Sequence, residues 1–440
     1  MKLQVLGDFD LAQAELKKNK NNAVAYVYDK ALKEGDGLLN NAVFTIKEVF
    51  ATKDAKTTAS SLILENFKPG YNATCVQKLI DAGALRVAKV YCDELALGGT
   101  GTFSAFGLIK NPLDKERLAG GSSSGSVATF TDNISFALGS DTGDSVRLPA
   151  SYNGNVGFKP SYGAISRYGM FAYASSLDTV SYFAHNVNDI AVISQVLFGV
   201  DNKDFTSKKV KIDNVQKLQP KKIGVLNVSK NLSNFVSNNF QELIVKLKAN
   251  KNIKVEVIEP QEDLLNAVKA IYDIISYSEA SSNLANLNGI AFGSRKEGES
   301  WEEIMTNTRS QGFGKMVQRR LTLGTFFLHS ENQKDLFLKA QQGRRLFKEY
   351  WDKLHKQYDI VIYPAYADVA PYINKKNKNY KYMEYILTGS NLAGNPSITI
   401  PWIKKDNLPI NLAIDADIYQ DEKLLSHALW MEEFLGGEHE

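Results

Sequence analysis

Two loops rich in glycine and serine, on either side of a short apolar stretch, constrain this 440-residue chain more than any other feature. The first loop reads GGSSSGS over 120–126, and the second reads GSDTGDS over 139–145. Glycine permits backbone dihedrals that a Cβ forbids, and loops of this kind turn successive N–H groups inward as an anion-binding nest. Two such nests so close together indicate a site at which an oxyanion forms.

Loops of this composition also occur in linkers, in phosphate-binding P-loops and in the nucleophile elbow of hydrolases. GGSSSGS in isolation is typical of a flexible linker. A phosphate-binding P-loop requires a lysine directly after its last glycine, but Gly125 is followed by Ser126. The G-x-S-x-G elbow of α/β hydrolases is absent around Ser145. A linker and an oxyanion site are the interpretations that remain.

The whole stretch resembles the amidase signature family. The family's core reads approximately G-G-S-S-G-G-S and then G-T-D-T-G-G-S-I-R-x-P-A, where this chain has GGSSSGS and GSDTGDSVRLPA. The matches continue with GFKPSYG at 157–163, SRYG at 166–169 and ASSLD at 174–178. The resemblance runs from about Asn22 to the C-terminus and is closest to the A subunits of glutamyl-tRNA(Gln) amidotransferases. So many ordered matches argue against a linker.

Helix, strand and glycine-loop patterns alternate along the first half of the chain, which predicts an α/β fold with a mixed sheet. The resemblance implies one amidase-signature domain over 1–440, with a large central mixed β-sheet flanked by helices on both faces. Its signature core would span about 40–190, after an abbreviated N-terminal segment of about 1–21. Apolar periodicity predicts strands at 41–48, 85–90, 222–226, 254–258 and 358–364, and helices at 23–33, 76–84, 240–247, 264–287 and 335–357.

The composition is that of an ordinary globular protein, with 44% apolar and 23% charged residues. A net charge of only +3 gives no argument for direct nucleic-acid binding. Two cysteines provide neither a disulfide framework nor a metal cluster, and they fit a reducing cytosol. The N-terminus is too polar for a signal peptide, and no apolar run is long enough to span a membrane. We therefore expect a cytoplasmic protein with no bound metal and no membrane association.

Amide hydrolysis needs a nucleophile, a proton shuttle and an oxyanion hole. The five histidines are scattered, so a serine–histidine pair has no support, whereas a serine–lysine arrangement works if burial makes the lysine neutral. The resemblance implies Ser145 as nucleophile, Ser122 as a bridging serine preceded by a cis peptide bond, and Lys47 as base. From its position alone, Lys47 is equally well an ordinary solvated lysine at the end of a strand.

The resemblance also assigns the oxyanion hole, to the backbone N–H groups of Thr142, Gly143 and Asp144 together with that of the nucleophile. Asp144 stands where the family normally has glycine, and the spacing from Ser122 to Ser145 is one residue shorter than usual. Turned inward, the Asp144 carboxylate would oppose a developing oxyanion. We therefore expect it to point outward.

A second motif concerns the substrate. RRLTLGT at 319–325 resembles the R-R-I-x-L-G-T of the A subunits and implies that Arg320 clamps the α-carboxylate of glutamine, a bidentate task suited to arginine. Glu384 stands where those subunits have an aspartate for the α-ammonium group. Ser123 is assigned to the substrate site as well. An ordinary surface arginine and glutamate remain the alternative.

The resemblance thus implies a glutaminase subunit in which Ser145 attacks the side-chain amide of glutamine. The ammonia would pass to partner subunits B and C, where Glu-tRNA(Gln) is bound and amidated. No cofactor is expected in this chain, and ATP and Mg²⁺ are expected at the partner. Two alternatives stay open: a stand-alone amidase-signature hydrolase acting on another amide, and a catalytically weak interaction subunit of the same complex.

Overall fold

Eleven strands form one mixed β-sheet in the computed structural model, which describes residues 1–436. One of the five histidines, His439, lies outside these described residues. The strands are β1 Val24–Val27, β2 Val43–Lys47, β3 Leu85–Val90, β4 Phe136–Asp141, β5 Val156–Lys159, β6 Thr179–Ala184, β7 Lys222–Leu226, β8 Lys254–Ile258, β9 Ile360–Pro364, β10 Ser397–Lys405 and β11 Leu408–Asp415.

The strand order from one edge of the sheet to the other is β1-β3-β2-β4-β6-β5-β10-β11-β9-β7-β8. Pairing is parallel near the two ends, where β2 lies between β3 and β4 and β7 lies between β8 and β9. The strands between β4 and β9 pair in antiparallel fashion. The predicted α/β fold with a mixed sheet is confirmed.

Twelve α-helices accompany the sheet within residues 1–436. They are α1 Phe9–Lys17, α2 Thr74–Asp81, α3 Ser124–Ala128, α4 Arg147–Asn153, α5 Val187–Leu197, α6 Asn234–Ala249, α7 Glu262–Asn283, α8 Trp301–Gly312, α9 Lys315–Leu328, α10 Lys339–His355, α11 Gly389–Ala393 and α12 Asp421–Gly436. Every residue of β2, β3, β4, β5, β6 and β9 is buried. A strand buried along its whole length is covered on both faces, so the sheet forms the centre of the core.

Lys47 reaches the second glycine–serine loop because β2 and β4 are parallel neighbours, with Phe44 opposite Phe136 and Ile46 opposite Leu138. Lys47 ends β2, and the second loop follows β4 at the same edge of the sheet. Short helices then leave each loop, α3 after the first and α4 after the second. This edge is where the candidate site assembles.

Several predicted elements coincide with the structure, including β3, β7 and β8 residue for residue. The helix predicted over 23–33 is wrong: Val24–Val27 forms β1, which pairs in antiparallel fashion with β3 and sets Val24 opposite Val90. Its valines and tyrosine suit a pleated surface, and the free edge of β3 offers backbone partners that an isolated helix would not use.

The segment predicted as an abbreviated N-terminal piece contains α1, whose first turn is capped by the Asp8 side chain. Phe9, Ala12 and Leu16 pack in a hydrophobic cluster with residues of β3. Over residues 1–436, each helix is either too short or too polar to traverse a lipid bilayer.

Candidate active site

Lys47 is the centre of the site and is completely buried. Its Nζ donates to Ser122 Oγ at 2.7 Å, to Ser140 Oγ at 2.8 Å and to Ser123 Oγ at 3.0 Å. All three acceptors are neutral hydroxyls on the two loops. The ordinary solvated lysine left open by the sequence is therefore not what the structure contains.

Burial lowers the pKa of Lys47 from its usual value near 10.5 to about 8. Cys92 and the carboxylates of Asp93, Asp141 and Asp178 act in the opposite direction, because negative charge favours the ammonium form. Desolvation outweighs these charges, because within residues 1–436 none of the four groups is hydrogen bonded to the Lys47 amine. The lysine can thus lose its proton close to neutral pH.

Ser122 and Ser123 lie side by side against the lysine. The peptide bond between Gly121 and Ser122 is cis, as the resemblance implied. Ser123 is fully buried, and its hydroxyl also donates to Ser140 O at 3.1 Å. This hydroxyl lies among the interior partners of Lys47, and the substrate-site role assigned to Ser123 stays a prediction.

Ser145 is 4% exposed and lies on the second loop, directly before α4. The two loops are joined by a backbone hydrogen bond from Ser123 N–H to Ser145 O at 3.2 Å. Among the described residues, no hydrogen bond joins the hydroxyls of Ser145 and Ser122. Catalytic hydrogen bonds often tighten only when substrate is bound.

The backbone around Ser145 forms the predicted nest. The N–H groups of Thr142, Gly143, Asp144 and Ser145 have no acceptor in residues 1–436, although Thr142 and Ser145 are buried. Buried N–H groups are seldom left without a partner, so this loop is arranged for an external acceptor. A developing oxyanion supplies such an acceptor.

An ion pair that the sequence analysis did not single out holds the nest in place. Arg147 and Asp141 are both fully buried and bonded through two nitrogens at 3.0 and 3.1 Å. Arg147 also donates to Gly143 O at 2.9 Å and to Asn391 Oδ1 at 2.6 Å. Although burial raises the pKa of Asp141, the charge and hydrogen bonds of Arg147 hold it below its usual value. In the sequence, Asp141, Gly143 and Arg147 lie within GSDTGDSVRLPA at 139–150, which was the available signal, and Asn391 begins NLAGNP at 391–396.

Asp178 supports the same loop from the other side. It accepts from Thr142 Oγ1 at 2.7 Å, from Tyr173 N–H at 2.9 Å and from Ala174 N–H at 3.1 Å. Burial raises its pKa to about 6, against these hydrogen bonds. Its position at the end of the ASSLD match was the signal in the sequence.

The expectation that the Asp144 carboxylate points outward stays a prediction. The residue is half-buried, and burial followed by the nearby charge of Asp141 raises its pKa to about 7, while Arg147 and Arg320 act to lower it. No hydrogen bond to this carboxylate is found over residues 1–436.

Arg320 lies on α9 with its guanidinium enclosed by aromatic rings. Nη1 donates to Tyr173 Oη at 3.0 Å, and the guanidinium lies 5.0 Å from the ring centre of Tyr277. Nε is buried and has no hydrogen-bond partner in the described part of the chain. A buried, incompletely paired guanidinium is suited to receive a carboxylate.

Glu384 borders a surface cavity of about 600 Å³, together with Tyr385. Its Oε2 accepts from Tyr366 Oη at 3.0 Å, and its Oε1 accepts from Tyr380 N–H at 3.1 Å. Two donors therefore fix the carboxylate at the cavity wall. Over residues 1–436, no group of three or more histidine, cysteine, aspartate or glutamate side chains is placed to hold a metal ion.

These parts fit one class of reaction. Ser145 lies among backbone N–H groups that have no acceptor in residues 1–436. Lys47, whose pKa is lowered by burial, is hydrogen bonded to Ser122. Such a set can take a proton from a hydroxyl nucleophile and stabilise a tetrahedral oxyanion. That is acyl transfer, as in amide hydrolysis.

Comparison with known proteins agrees with this chemistry. The family described as Amidase matches residues 11–425. The chain is 38% identical over 451 residues to the A subunit of the glutamyl-tRNA(Gln) amidotransferase of Mycoplasma genitalium, covering 98% of this chain and 94% of that protein. It is 39% identical over 438 residues to the protein of the same name from Methanosarcina mazei, covering 95% and 91%.

Solved structures give a similar result. The A subunit of the glutamyl-tRNA(Gln) amidotransferase of Thermotoga maritima superimposes with a TM-score of 0.80 at 32% identity, covering 97% of this chain and 91% of that one. The peptide amidase of Stenotrophomonas maltophilia gives a TM-score of 0.78 at 24% identity, covering 97% and 92%, and so shares the fold.

Proposed function

The chain belongs to the amidase family, and on that premise we propose that it is the glutaminase subunit of a tRNA-dependent amidotransferase. The observation that carries the proposal is the buried Lys47–Ser122 hydrogen bond of 2.7 Å, beside the loop that presents Ser145 within free N–H groups. The similarity to A subunits over nearly the whole chain supports glutamine as the amide.

In the proposed reaction, neutral Lys47 accepts the Ser122 hydroxyl proton as Ser122 accepts the proton of Ser145. Ser145 Oγ attacks the side-chain amide carbon of glutamine, and the N–H groups of residues 142–145 stabilise the oxyanion. The proton returns through Ser122 to the amide nitrogen as the C–N bond breaks, which releases ammonia. Water then hydrolyses the glutamyl ester through the same relay, giving glutamate and free Ser145.

Glutamine is held by its α-substituents in this proposal. The free Nε and the remaining donors of Arg320 bind the α-carboxylate, and Glu384 contributes negative charge toward the α-ammonium group. A hydrolase for apolar amides has no use for this pair. Their presence favours glutaminase over a stand-alone amidase of different substrate class.

The ammonia passes to partner subunits B and C, which amidate Glu-tRNA(Gln) with ATP and Mg²⁺ bound at the partner. A net charge of only +3 suits a subunit that leaves tRNA binding mainly to that partner. We place the protein in the cytoplasm, since its substrate tRNA is there and its two free cysteines suit a reducing compartment.

A catalytically weak interaction subunit remains the second candidate, because Asp144 replaces the glycine of the family motif and the spacing from Ser122 to Ser145 is one residue short. The experiment that separates these functions is steady-state glutamine hydrolysis by the chain alone, with partner subunits, and with partners and charged tRNA. We expect a slow lone chain and at least a tenfold gain on assembly, which requires the partner to bind the aligned loop about 1.4 kcal/mol more tightly than the resting one.

Each outcome of that experiment selects one candidate. A lone chain that already reaches the rate of the full assembly contradicts the subunit proposal and favours a stand-alone amidase. An assembly that amidates tRNA from free ammonia but hydrolyses no glutamine identifies a weak interaction subunit. Glutaminase activity that rises on assembly supports the proposal.

A further inference from the structure

We propose that Glu94 is a positioning residue for glutamine: its carboxylate fixes the start of α9, and through that helix it sets the place of Arg320 in the substrate site. Glu94 lies in a short 3₁₀-helix, Glu94–Ala96, which follows β3. This inference rests on the proposed glutaminase function and deepens it, because it names a residue outside the assigned substrate contacts that determines the affinity for glutamine.

Glu94 is buried, with 2% of its surface exposed, and it contacts the junction between α8 and α9. Gly314 N–H donates to both carboxylate oxygens, at 2.9 Å to Oε2 and at 3.2 Å to Oε1. Ser61 Oγ donates to Oε1 as well and lies 3.3 Å from Gly312 O. One carboxylate and one hydroxyl therefore hold the last residue of α8 and the residue before α9.

The start of α9 has no side-chain cap from its own sequence. The N–H groups in the first turn of a helix lack partners inside it, and the positive end of the helix dipole favours a carboxylate there. Gly314, at the N-cap position, has no side chain, and Val317 offers no acceptor where a capping box has Glu or Gln. Glu94 makes this contact from a distant part of the chain. A Cβ at Gly314 would lie 2.4 Å from Glu94 Oε2, so the glycine leaves the room that the carboxylate needs.

Arg320 lies on α9 between this contact and a second fixed point. A Cβ at Gly324 would lie 1.9 Å from Tyr277 O, so the backbone of α9 touches that of α7 at this position. The Arg320 guanidinium lies 5.0 Å from the ring centre of Tyr277 and donates to Tyr173 Oη at 3.0 Å. Loss of the Glu94 contact would release the end of α9 before Arg320 and leave the far end packed on α7. The expected result is a displaced arginine on an intact helix.

The residue before Glu94 attaches the same segment to the catalytic loop. Asp93 N–H donates to Ser122 O at 3.1 Å. The Asp93 carboxylate is fully buried and accepts backbone N–H groups of the loop at 100–103, at 2.9 to 3.1 Å. Asp93 is thus held beside the serine relay while its neighbour Glu94 holds α9. Two adjacent residues therefore relate the position of Arg320 to that of Ser122.

The test is steady-state glutamine hydrolysis by the assembled complex. We expect Glu94→Ala to raise KM for glutamine roughly tenfold, the effect of weakening one charge-assisted contact between Arg320 and the α-carboxylate. The value of kcat should change little, because this contact binds the ground state and the transition state alike. Glu94→Gln keeps an acceptor for Gly314 N–H and should restore most of the affinity. Ser61→Ala removes the hydroxyl that orients the carboxylate, so it should also raise KM, and it provides the same test if Glu94→Ala fails to assemble.

A double-mutant cycle shows whether Glu94 acts through Arg320. Arg320→Lys keeps a positive charge but loses the planar fork of the guanidinium, so it should raise KM by itself. Adding Glu94→Ala should then raise KM little further, because the effects of two changes on one contact are not additive. Two effects on KM that multiply independently would overturn the inference.

Glu432→Ala is the matched control. The Glu432 carboxylate accepts from Val187 N–H at 3.0 and 3.2 Å at the start of α5, which is the same kind of contact on a helix that carries none of the assigned site residues. Both alanine variants should lower the melting temperature of the complex, but only Glu94→Ala should raise KM for glutamine. An unchanged KM in Glu94→Ala, or an equal rise in Glu432→Ala, overturns the inference.

Equilibrium binding of glutamine to a complex that carries Ser145→Ala separates this inference from the proposed function, because it needs no turnover. Adding Glu94→Ala should weaken this binding roughly tenfold as well. If the wild-type complex hydrolyses no glutamine and this dependence on Glu94 is still found, the proposed hydrolysis fails and the inference is supported. If the wild type hydrolyses glutamine and neither KM nor binding depends on Glu94, the glutaminase function stands and the inference is overturned.

Discussion

The position of a residue in the fold determines its chemistry in this site. Lys47 ends a strand, where a lysine would normally reach solvent, yet three serine hydroxyls enclose its amine. The nearby carboxylates of Asp141 and Asp178 are each occupied by donors of their own. Desolvation therefore determines the protonation of the amine, and a relay through Ser122 becomes possible near neutral pH.

The pKa of about 8 predicts how activity depends on pH. Below that value Lys47 is protonated and cannot accept a proton from Ser122, so kcat for glutamine should fall as the pH drops through about 8. Ser122→Ala should lower kcat by several orders of magnitude at every pH, since it removes a member of one catalytic unit. The measurement is a pH profile of glutamine turnover.

Ser126→Ala is the matched control for this profile, because its hydroxyl lies in the same loop but donates to Leu138 O at 3.0 Å. It should keep the wild-type profile. A Ser122→Ala variant with normal turnover, or a wild-type rate that does not change between pH 7 and 9, would contradict the relay.

The resemblance to the amidase signature family implied Lys47, Ser122 and Ser145 as a set, and the structure brings the first two into direct contact. The packing of the second loop was not predictable in the same way. The ring of Tyr272, far along the chain, lies against Gly143, and no local pattern encodes such a tertiary contact. The engagement of Ser123 with Lys47 and Ser140 depends in the same way on the pairing of β2 with β4.

At the level of elements, α4 is attached to the sheet by the buried pair of Arg147 and Asp141. Arg147 also donates to Leu387 O at 2.7 Å and to Ser397 Oγ at 3.1 Å, so one side chain connects the nest to β10 and to the segment before α11. Removing one partner of a buried ion pair leaves the other charge without compensation.

We expect Arg147→Met to lower the free energy of unfolding by about 3–5 kcal/mol and to abolish glutamine hydrolysis with it. Arg345→Met is the comparison, because Arg345 pairs with Glu349 on the surface with their side chains 82% and 57% exposed, and such pairs contribute at most about 1 kcal/mol. Urea denaturation measures both. Equal shifts in the two variants would show that the buried pair does not anchor α4.

The strands β3, β7 and β8 were predicted with the observed bounds because valine, isoleucine or leucine occupies at least half of each, as LRVAKV, KIGVL and KVEVI show. The strand β1 was missed because four residues carry little signal of their own and are recruited by the edge of β3. A local sequence pattern cannot specify which strands pair when they lie far apart in the chain.

At the scale of the whole molecule, the sheet brings chemistry from separate stretches to one edge. The base comes from β2, the nest from the β4–α4 loop, and the guanidinium from α9, more than 170 residues further along. Only the α/β class and the mixed pairing could be inferred from residue patterns. The eleven-strand order, with parallel pairs around β2 and β7 and antiparallel pairs elsewhere, required the structure.

In the proposed reaction, Ser145 forms a covalent glutamyl ester during hydrolysis of glutamine. The most direct test is rapid acid quenching of the assembled complex during turnover, followed by mass mapping of this chain. We expect a glutamyl adduct on the peptide that contains Ser145, and we expect both the adduct and the turnover to be lost in Ser145→Ala. An adduct on another residue, or near-normal glutamine turnover by Ser145→Ala, would contradict it.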